Sequence, residues 1–361
     1  MDNASSDQTN ESISQVEAGI NEDFRLKVEN FRALLAGLKE DFLAFDNNHP
    51  NRGERINFVK SKKDEVFFLF NKFFREVWPH AQSLEKKSFK SYQQYYQKIL
   101  SDPLLEAEIN RYIKEKPLGY PGDYVMMNYI YDGHNDFVGE SSLMMLINHY
   151  TTNIPISCSN IKRKDYFKQK ISELLDSAKQ SAKIASVGCG SARELIELAE
   201  EGKINKPLVF TCVDFESHAL NYIESQLLKI EADKKRFLEM RYYQFDIREV
   251  VRKQDMLAIV GEQDVVYASG LFDYLGDYLA KKILSVLFSL VRSSGLLIIV
   301  NAGLRDVEFR SYYEMLGEWR FFHRSEEDIL TWTKALKNVA SVEFEEFSFP
   351  MNYLFLLIKK T

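Results

Sequence analysis

Cysteine is scarce in this chain. There are three in 361 residues, Cys158, Cys189 and Cys212, and none belongs to a Cys-x-x-Cys pair. That excludes a disulfide framework and suits a reducing, cytoplasmic setting. Excess positive charge is also missing: 47 basic residues stand against 53 acidic ones, a net charge of −6. With no long basic run, sequence-independent nucleic-acid binding is not expected. No uninterrupted apolar stretch reaches the roughly 18 residues of a membrane span. The first residues, MDNASSDQTNESISQ, lack the basic and apolar regions of a secretory signal. Histidines are few, and none of His49, His80, His134, His149, His218 and His323 pairs with a His or Cys at zinc-site spacing, so no metal site is expected. No internal repeat is found.

What is present divides the chain. Residues 1–22 are polar and predict a disordered tail. Residues 23–157 predict a helical region. Phe24, Val28, Phe31, Leu34, Leu35, Leu38, Phe42 and Phe45 recur at three- and four-residue spacing. That apolar stripe (24–45) suits either the core or a homodimer surface. A second helix, 54–78, carries the apolar run Val66-Phe67-Phe68-Leu69-Phe70 and is expected to be central to a bundle. A third runs 86–100. Ser101-Asp102-Pro103 resembles an N-cap with proline in the first turn, predicting that a fourth helix starts there. Residues 117–140, with Leu118-Gly119-Tyr120-Pro121-Gly122-Asp123-Tyr124, predict a Gly/Pro/aromatic loop.

From Lys183 the period switches. Short apolar runs at 184–187, 208–213, 240–245, 264–268 and 296–300 alternate with helical segments. This predicts an α/β domain over 158–361 with a parallel sheet covered on both faces. The runs 342–347 and 353–358 lie too close for anything but an antiparallel hairpin, its turn holding Ser348-Phe349-Pro350.

The chemistry sits at the ends of these runs. Ile184-Ala185-Ser186-Val187 leads into Gly188-Cys189-Gly190 and then a helix. Glycines there allow a sharp turn and a close ligand approach. The third glycine of the dinucleotide fingerprint is absent, its place taken by Arg193. The second run ends in Asp214, followed by Phe215, where a carboxylate can accept from ribose hydroxyls. Asp246-Ile247 follows the third run and suits an adenine amino group and ring. Ser269-Gly270 and Asp273 follow the fourth. All lie where open α/β sheets bind ligands.

These residues, with the terminal hairpin, resemble the class I S-adenosylmethionine-dependent methyltransferases. Leu118–Asn128, Leu271-Phe272-Asp273-Tyr274-Leu275 and the stretch from Tyr312 to Glu327 are similar to a bacterial subgroup, the 3-hydroxypalmitic acid methyl ester biosynthesis proteins. Val300-Asn301-Ala302-Gly303 departs from that pattern. The resemblance implies a Rossmann-like seven-stranded methyltransferase sheet, preceded by an all-α region, with S-adenosyl-L-methionine as cofactor. It implies that Gly188, Cys189 and Gly190 flank the methionine part. Asp214 would hold the ribose, Asp246 and Ile247 would read the adenine, Ser269 and Gly270 would line the sulfonium side, and Phe215 is a further cofactor-binding candidate. The loop near 117–134 is either a lid over the cofactor or a turn whose tyrosines pack on the bundle. As a lid it would bring Asp123 to the methionine ammonium and Tyr120 and Tyr124 to the sulfonium. Arg163 suits either the cofactor carboxylate or a solvated helix face. If the acceptor needs a base, Tyr120, Tyr124, His134 and Asp273 are the candidates, although His134 equally suits a loop position without a role. The expected acceptor is a small molecule, foremost the carboxylate of a hydroxy fatty acid. N- or O-methylation of another metabolite is the alternative within enzymes, and a non-catalytic binding module the alternative outside them. Nucleic acid is not expected as acceptor, since no Asn/Asp-Pro-Pro-aromatic motif is present.

Overall fold

Asparagine side chains start the first two helices. Asn21 accepts from the Phe24 N–H to open α1 (Glu22–Asn48), and Asn51 accepts from Gly53 and Glu54 to open α2 (Arg52–Val77). The computed structural model describes residues 19–249, 256–305, 309–345 and 353–361. The expected tail therefore lies mostly outside the described residues, as does the expected hairpin turn at 348–350.

The described residues divide into two compact units. The first comprises Met1–Ser157 with Val307–Arg320; the second comprises Cys158–Asp306 with Phe321–Thr361. In the helical unit the apolar stripe of α1 is core: Phe24, Val28, Phe31, Leu35 and Phe42 are buried. Phe31 stacks on Phe73 of α2 with ring centroids 3.9 Å apart, and Phe70 and Phe74 meet it edge-on. The Phe-rich second helix is thus packing material.

Two local expectations fail here. Ser101-Asp102-Pro103 does not open a helix: it lies in the last turn of α3 (Lys86–Leu104), with Pro103 inside that helix. Proline lacks the N–H that would continue the ladder, and the helix stops one residue later. The next helix, α4 (Glu108–Glu115), starts after a break. The loop is also shorter than expected. Residues 124–133 form a helix, α5 (Tyr124–Gly133), because Asp123 caps it by accepting from the Met126 N–H at 2.9 Å. α6 (Ser142–Asn153) follows and packs on α5 so closely that a Cβ at Gly133 would fall 2.9 Å from Thr152 Cγ2.

Residues 309–320, expected with the sheet, cluster with the helices instead. Ser311–Leu316 forms a π-helical turn, and its buried Ser311 hydroxyl donates to the Phe74 carbonyl at 2.7 Å. Gln93 Nε2 donates to the Glu314 carbonyl at 2.7 Å. Tyr312 is fully buried among Phe74 and Tyr150, and its hydroxyl lies 2.9 Å from Asn110 Oδ1 and 2.6 Å from Thr151 Oγ1.

The second unit is the mixed seven-stranded sheet with flanking helices that the sequence predicts. Its strands are β1 (Ala182–Val187), β2 (Leu208–Asp214), β3 (Leu238–Gln244), β4 (Gln263–Ala268), β5 (Val291–Ala302), β6 (Val339–Glu345) and β7 (Tyr353–Lys360). They lie in the order β3-β2-β1-β4-β5-β7-β6. The first five are parallel, and β7 pairs antiparallel with both β5 and β6. The order reverses between β1 and β4, which places a crevice at their C-terminal ends. Ala185, Val266, Ile299 and Leu356 face the helix Asp277–Ser289 in one core layer. On the opposite face Phe167, from α7 (Pro155–Ser177), stacks on Tyr267 at 4.3 Å.

Tyr312→Phe should remove a buried hydroxyl that serves two partners. We expect a loss of about 1–2 kcal/mol in urea unfolding. An unchanged midpoint would mean that the 309–320 segment contributes no hydrogen-bond energy to the helical unit.

Candidate functional site

The tightest backbone geometry in the sheet unit lies at the end of β1. Gly188 and Gly190 have φ of +64° and +53°, values that side chains resist. The Gly188 and Cys189 N–H groups both donate to the Val213 carbonyl, at 2.8 and 3.3 Å. Asp214 then fastens the turn: its Oδ2 accepts from Gly190 N at 2.9 Å and its Oδ1 from Glu216 N at 3.0 Å. Burial pushes the Asp214 carboxyl above its ordinary value, and the backbone donors of Glu216, Gly190 and Phe215 offset part of that rise. A Cβ at Gly188 would press on Leu271, 3.3 Å away, whereas a Cβ at Gly190 would meet nothing within 4 Å. The backbone at Gly190 therefore borders open space. Ala192, at φ +41°, leads into the helix Arg193–Glu200.

The neighbouring strand ends carry the other predicted residues. Phe215 is half-exposed, directly after Asp214. Asp246 follows β3 and accepts from the Arg248 backbone N–H at 2.8 Å and from its Nε at 2.9 Å. That carboxylate also raises the Arg248 pKa. Ile247 is buried in the sheet core. Ser269 and Gly270 follow β4, ahead of a single 3-10 turn, Leu271–Tyr274.

Arg163 and Asp273 come together. Arg163 is 7 % exposed, so it does not lie on a solvated face. Its guanidinium lies 3.6 Å from Asp273 Oδ2, 4.8 Å from the Tyr353 ring centroid, and 3.4 Å from where a Gly270 Cβ would stand. Asp273 Oδ1 accepts from Ala302 N at 2.6 Å. Burial raises the Asp273 carboxyl to about 6, against the pull of Arg163, the Ala302 N–H, His323 and Arg324.

The remaining predicted residues lie in the helical unit. Asp123 is buried and bound on both oxygens, by Met126 N and by the Tyr112 hydroxyl at 2.9 Å. Tyr120 and Tyr124 flank it and are half-buried. His134 Nδ1 lies 2.9 Å from the Thr152 carbonyl.

Several polar residues of this edge carried no role in the sequence reading. Tyr353 opens β7 and donates to Asn160 Oδ1 at 2.9 Å. Buried Arg324 donates to Asn301 Oδ1 at 2.7 Å and to the Phe272 carbonyl at 3.1 Å, tying the turn after β4 to the end of β5. Glu194 is buried with the Tyr267 hydroxyl as its partner, and burial raises its carboxyl. Their only sequence signal is a polar side chain beside an apolar run. Among the described residues, no group of three or more His, Cys, Asp or Glu is placed to hold a metal ion. No described helix is long and apolar enough to cross a membrane.

No family model matches the chain, and no curated protein does either. Solved structures do. The chain is similar to a possible exported protein from Bordetella parapertussis at 13 % identity and a TM-score of 0.54, over 71 % of this chain and 84 % of that one. It is also similar to magnesium protoporphyrin IX methyltransferase from Synechocystis PCC 6803 with bound SAH, at 14 % identity and a TM-score of 0.41, over 56 % of this chain and 85 % of that one. Identities this low bear on the fold alone, and only the first of these similarities is close enough to support it.

The Asp273 pKa gives a pH test. Its folded value of about 6 exceeds the ordinary 3.8. Its contribution to stability is complete below pH about 4 and is lost as pH rises through about 6. Asp273→Asn keeps an acceptor for Ala302 N and does not titrate. Between pH 4 and pH 7 the wild type should lose up to roughly 3 kcal/mol relative to this variant in urea unfolding. A pH-independent difference would show that Asp273 does not titrate in that window.

Proposed function

We propose that this chain is an S-adenosylmethionine-dependent methyltransferase acting on a small-molecule acceptor in a cytoplasmic setting. The observation that carries the reading is the Gly188–Gly190 turn, open to a ligand at Gly190 and fastened by Asp214. The residues present fit the cofactor. A carboxylate has about four lone-pair sites, so Asp214 can hold the turn and still accept ribose hydroxyls. Gly188, Cys189 and Gly190 flank the methionine part in this reading, and Phe215 borders the ribose. Asp246 and Ile247 take the adenine, for which Asp246 must share its carboxylate with Arg248. Ser269 and Gly270 line the sulfonium side. Arg163, with five donors and one buried carboxylate beside it, takes the cofactor carboxylate as a second anion.

When bound, S-adenosylmethionine supplies an electrophilic methyl group on a sulfonium. The chain's own residues then position and desolvate the acceptor for in-line attack. A carboxylate acceptor, foremost that of a hydroxy fatty acid, is ionised at neutral pH and needs no base. An amine or hydroxyl acceptor needs one, and Asp273, titrating near 6, is suited to that task. Tyr120, Tyr124 and His134 are the other base candidates, and Asp123 the candidate for the methionine ammonium. Affinity and turnover of Asp123→Asn and His134→Ala test these roles.

Calorimetric titration with S-adenosylmethionine and S-adenosylhomocysteine tests the central reading. The wild type should bind both in the micromolar range. Gly190→Arg, which fills the open space, and Asp214→Ala, which releases the turn, should each lose at least tenfold while keeping the wild-type circular dichroism. Transfer of labelled methyl to 3-hydroxy fatty acids, compared with small amines and alcohols, then identifies the acceptor class. No binding by the folded wild type, or unchanged affinity in both variants, would overturn the proposal.

A further inference from the structure

The helical unit carries a cavity of its own, about 290 Å³, between α4, α5 and α6. That is near the lower end of the ~300–1,000 Å³ range of small-molecule sites. Its walls are apolar at Ile109 and Val125, with the side of Tyr129 beside them. Its polar equipment is one-sided. Glu108 and Asp132 bring two carboxylates, both exposed to solvent and so at the rim. Asn128 also lines the cavity, and its Oδ1 is buried without a hydrogen-bond partner. Among the described residues, no Lys, Arg or His lines it. Asn148 bonds the Val138 carbonyl and the Ile109 N–H, and Thr152 donates to the Gly133 carbonyl.

A buried amide oxygen without a donor has lost its hydration uncompensated, and a ligand N–H would restore the bond. Rim carboxylates favour a cation and repel an anion. The Tyr129 ring adds a face on which a cation is stabilised. Burial, then the charge of Glu108, raises the Tyr129 phenol, so this side chain stays protonated and adds no competing negative charge. We propose that this cavity binds a small organic ammonium ion with a short apolar body, held by Glu108, Asp132 and the free Asn128 oxygen. The inference concerns the helical unit and stands whether or not the sheet unit binds S-adenosylmethionine.

Hexylammonium, hexan-1-ol and hexanoate, matched in length, are the probes. Each is titrated into the full-length protein by calorimetry at low and moderate salt. Hexylammonium should bind, hexanol at least tenfold more weakly, and hexanoate not detectably. The double variant E108Q/D132N should weaken hexylammonium at least tenfold, and Asn128→Leu at least threefold. Glu40→Gln, which removes an exposed carboxylate on α1, should have no effect. Val125→Trp, which fills the cavity, should abolish binding. The charge variants sit at the rim and leave the core intact, so they test the site even if Val125→Trp fails to fold. Equal affinity for hexanol and hexylammonium, no binding of hexylammonium, or an equal loss in Glu40→Gln would each overturn the proposal.

Discussion

One carboxylate, Asp214, joins two neighbouring strand ends. It grips Gly190 at the turn after β1 and Glu216 at the turn after β2. Around the first of these grips the chain holds a left-handed residue at 188, 190 and 192. Two are glycines and accept this cheaply. Ala192 does not, and a non-glycine residue in that region costs on the order of 1–2 kcal/mol. Such strain persists only where its surroundings determine it. Here the Asp214 carboxylate and the Val213 carbonyl do so, leaving the backbone at Gly190 facing space and not side chains.

Three aspartates of similar sequence appearance hold three different offices. Asp123 is spent on a helix N-terminus and a tyrosine. Asp214 accepts from backbone donors of two turns. Asp273 faces a buried guanidinium at 3.6 Å, and its proton is held up to a pH of about 6. Residue type and spacing place all three beside glycine-rich or strand-end segments. Solvent access and the geometry of the nearest donors separate them, and neither is written locally in the chain.

The alternation of strand and helix, the seven strands and the closing hairpin were legible because period two and period 3.6 leave different apolar spacings. The turn at Gly188–Gly190 and the carboxylates after β2 and β3 were legible for the same reason: each follows the last apolar residue of a run. The helix Tyr124–Gly133 was not, because the proline and glycines before its Asp123 cap masked its start. Pro103 misled in the opposite sense: its missing N–H suits a first turn, yet here it stands in the last turn of α3 and removes one ladder bond there. The burial of Arg163 was hidden because its neighbours are lysines and its partners, Asp273 and Tyr353, lie more than a hundred residues away.

The helical unit is not continuous in the chain. Its first part ends at Ser157, and the described strip that completes it begins at residue 309, 309 − 157 = 152 residues later. Every strand of the parallel sheet lies between. At a ribosomal rate of ~5–20 residues per second, this interval is roughly 8–30 s. For that time Phe74, Tyr150 and Asn110 exist without Tyr312, and Gln93 without the Glu314 carbonyl. The bundle that is begun first is therefore completed only after the five parallel strands, and nascent chains stalled inside the sheet carry a bundle that waits for a segment not yet translated.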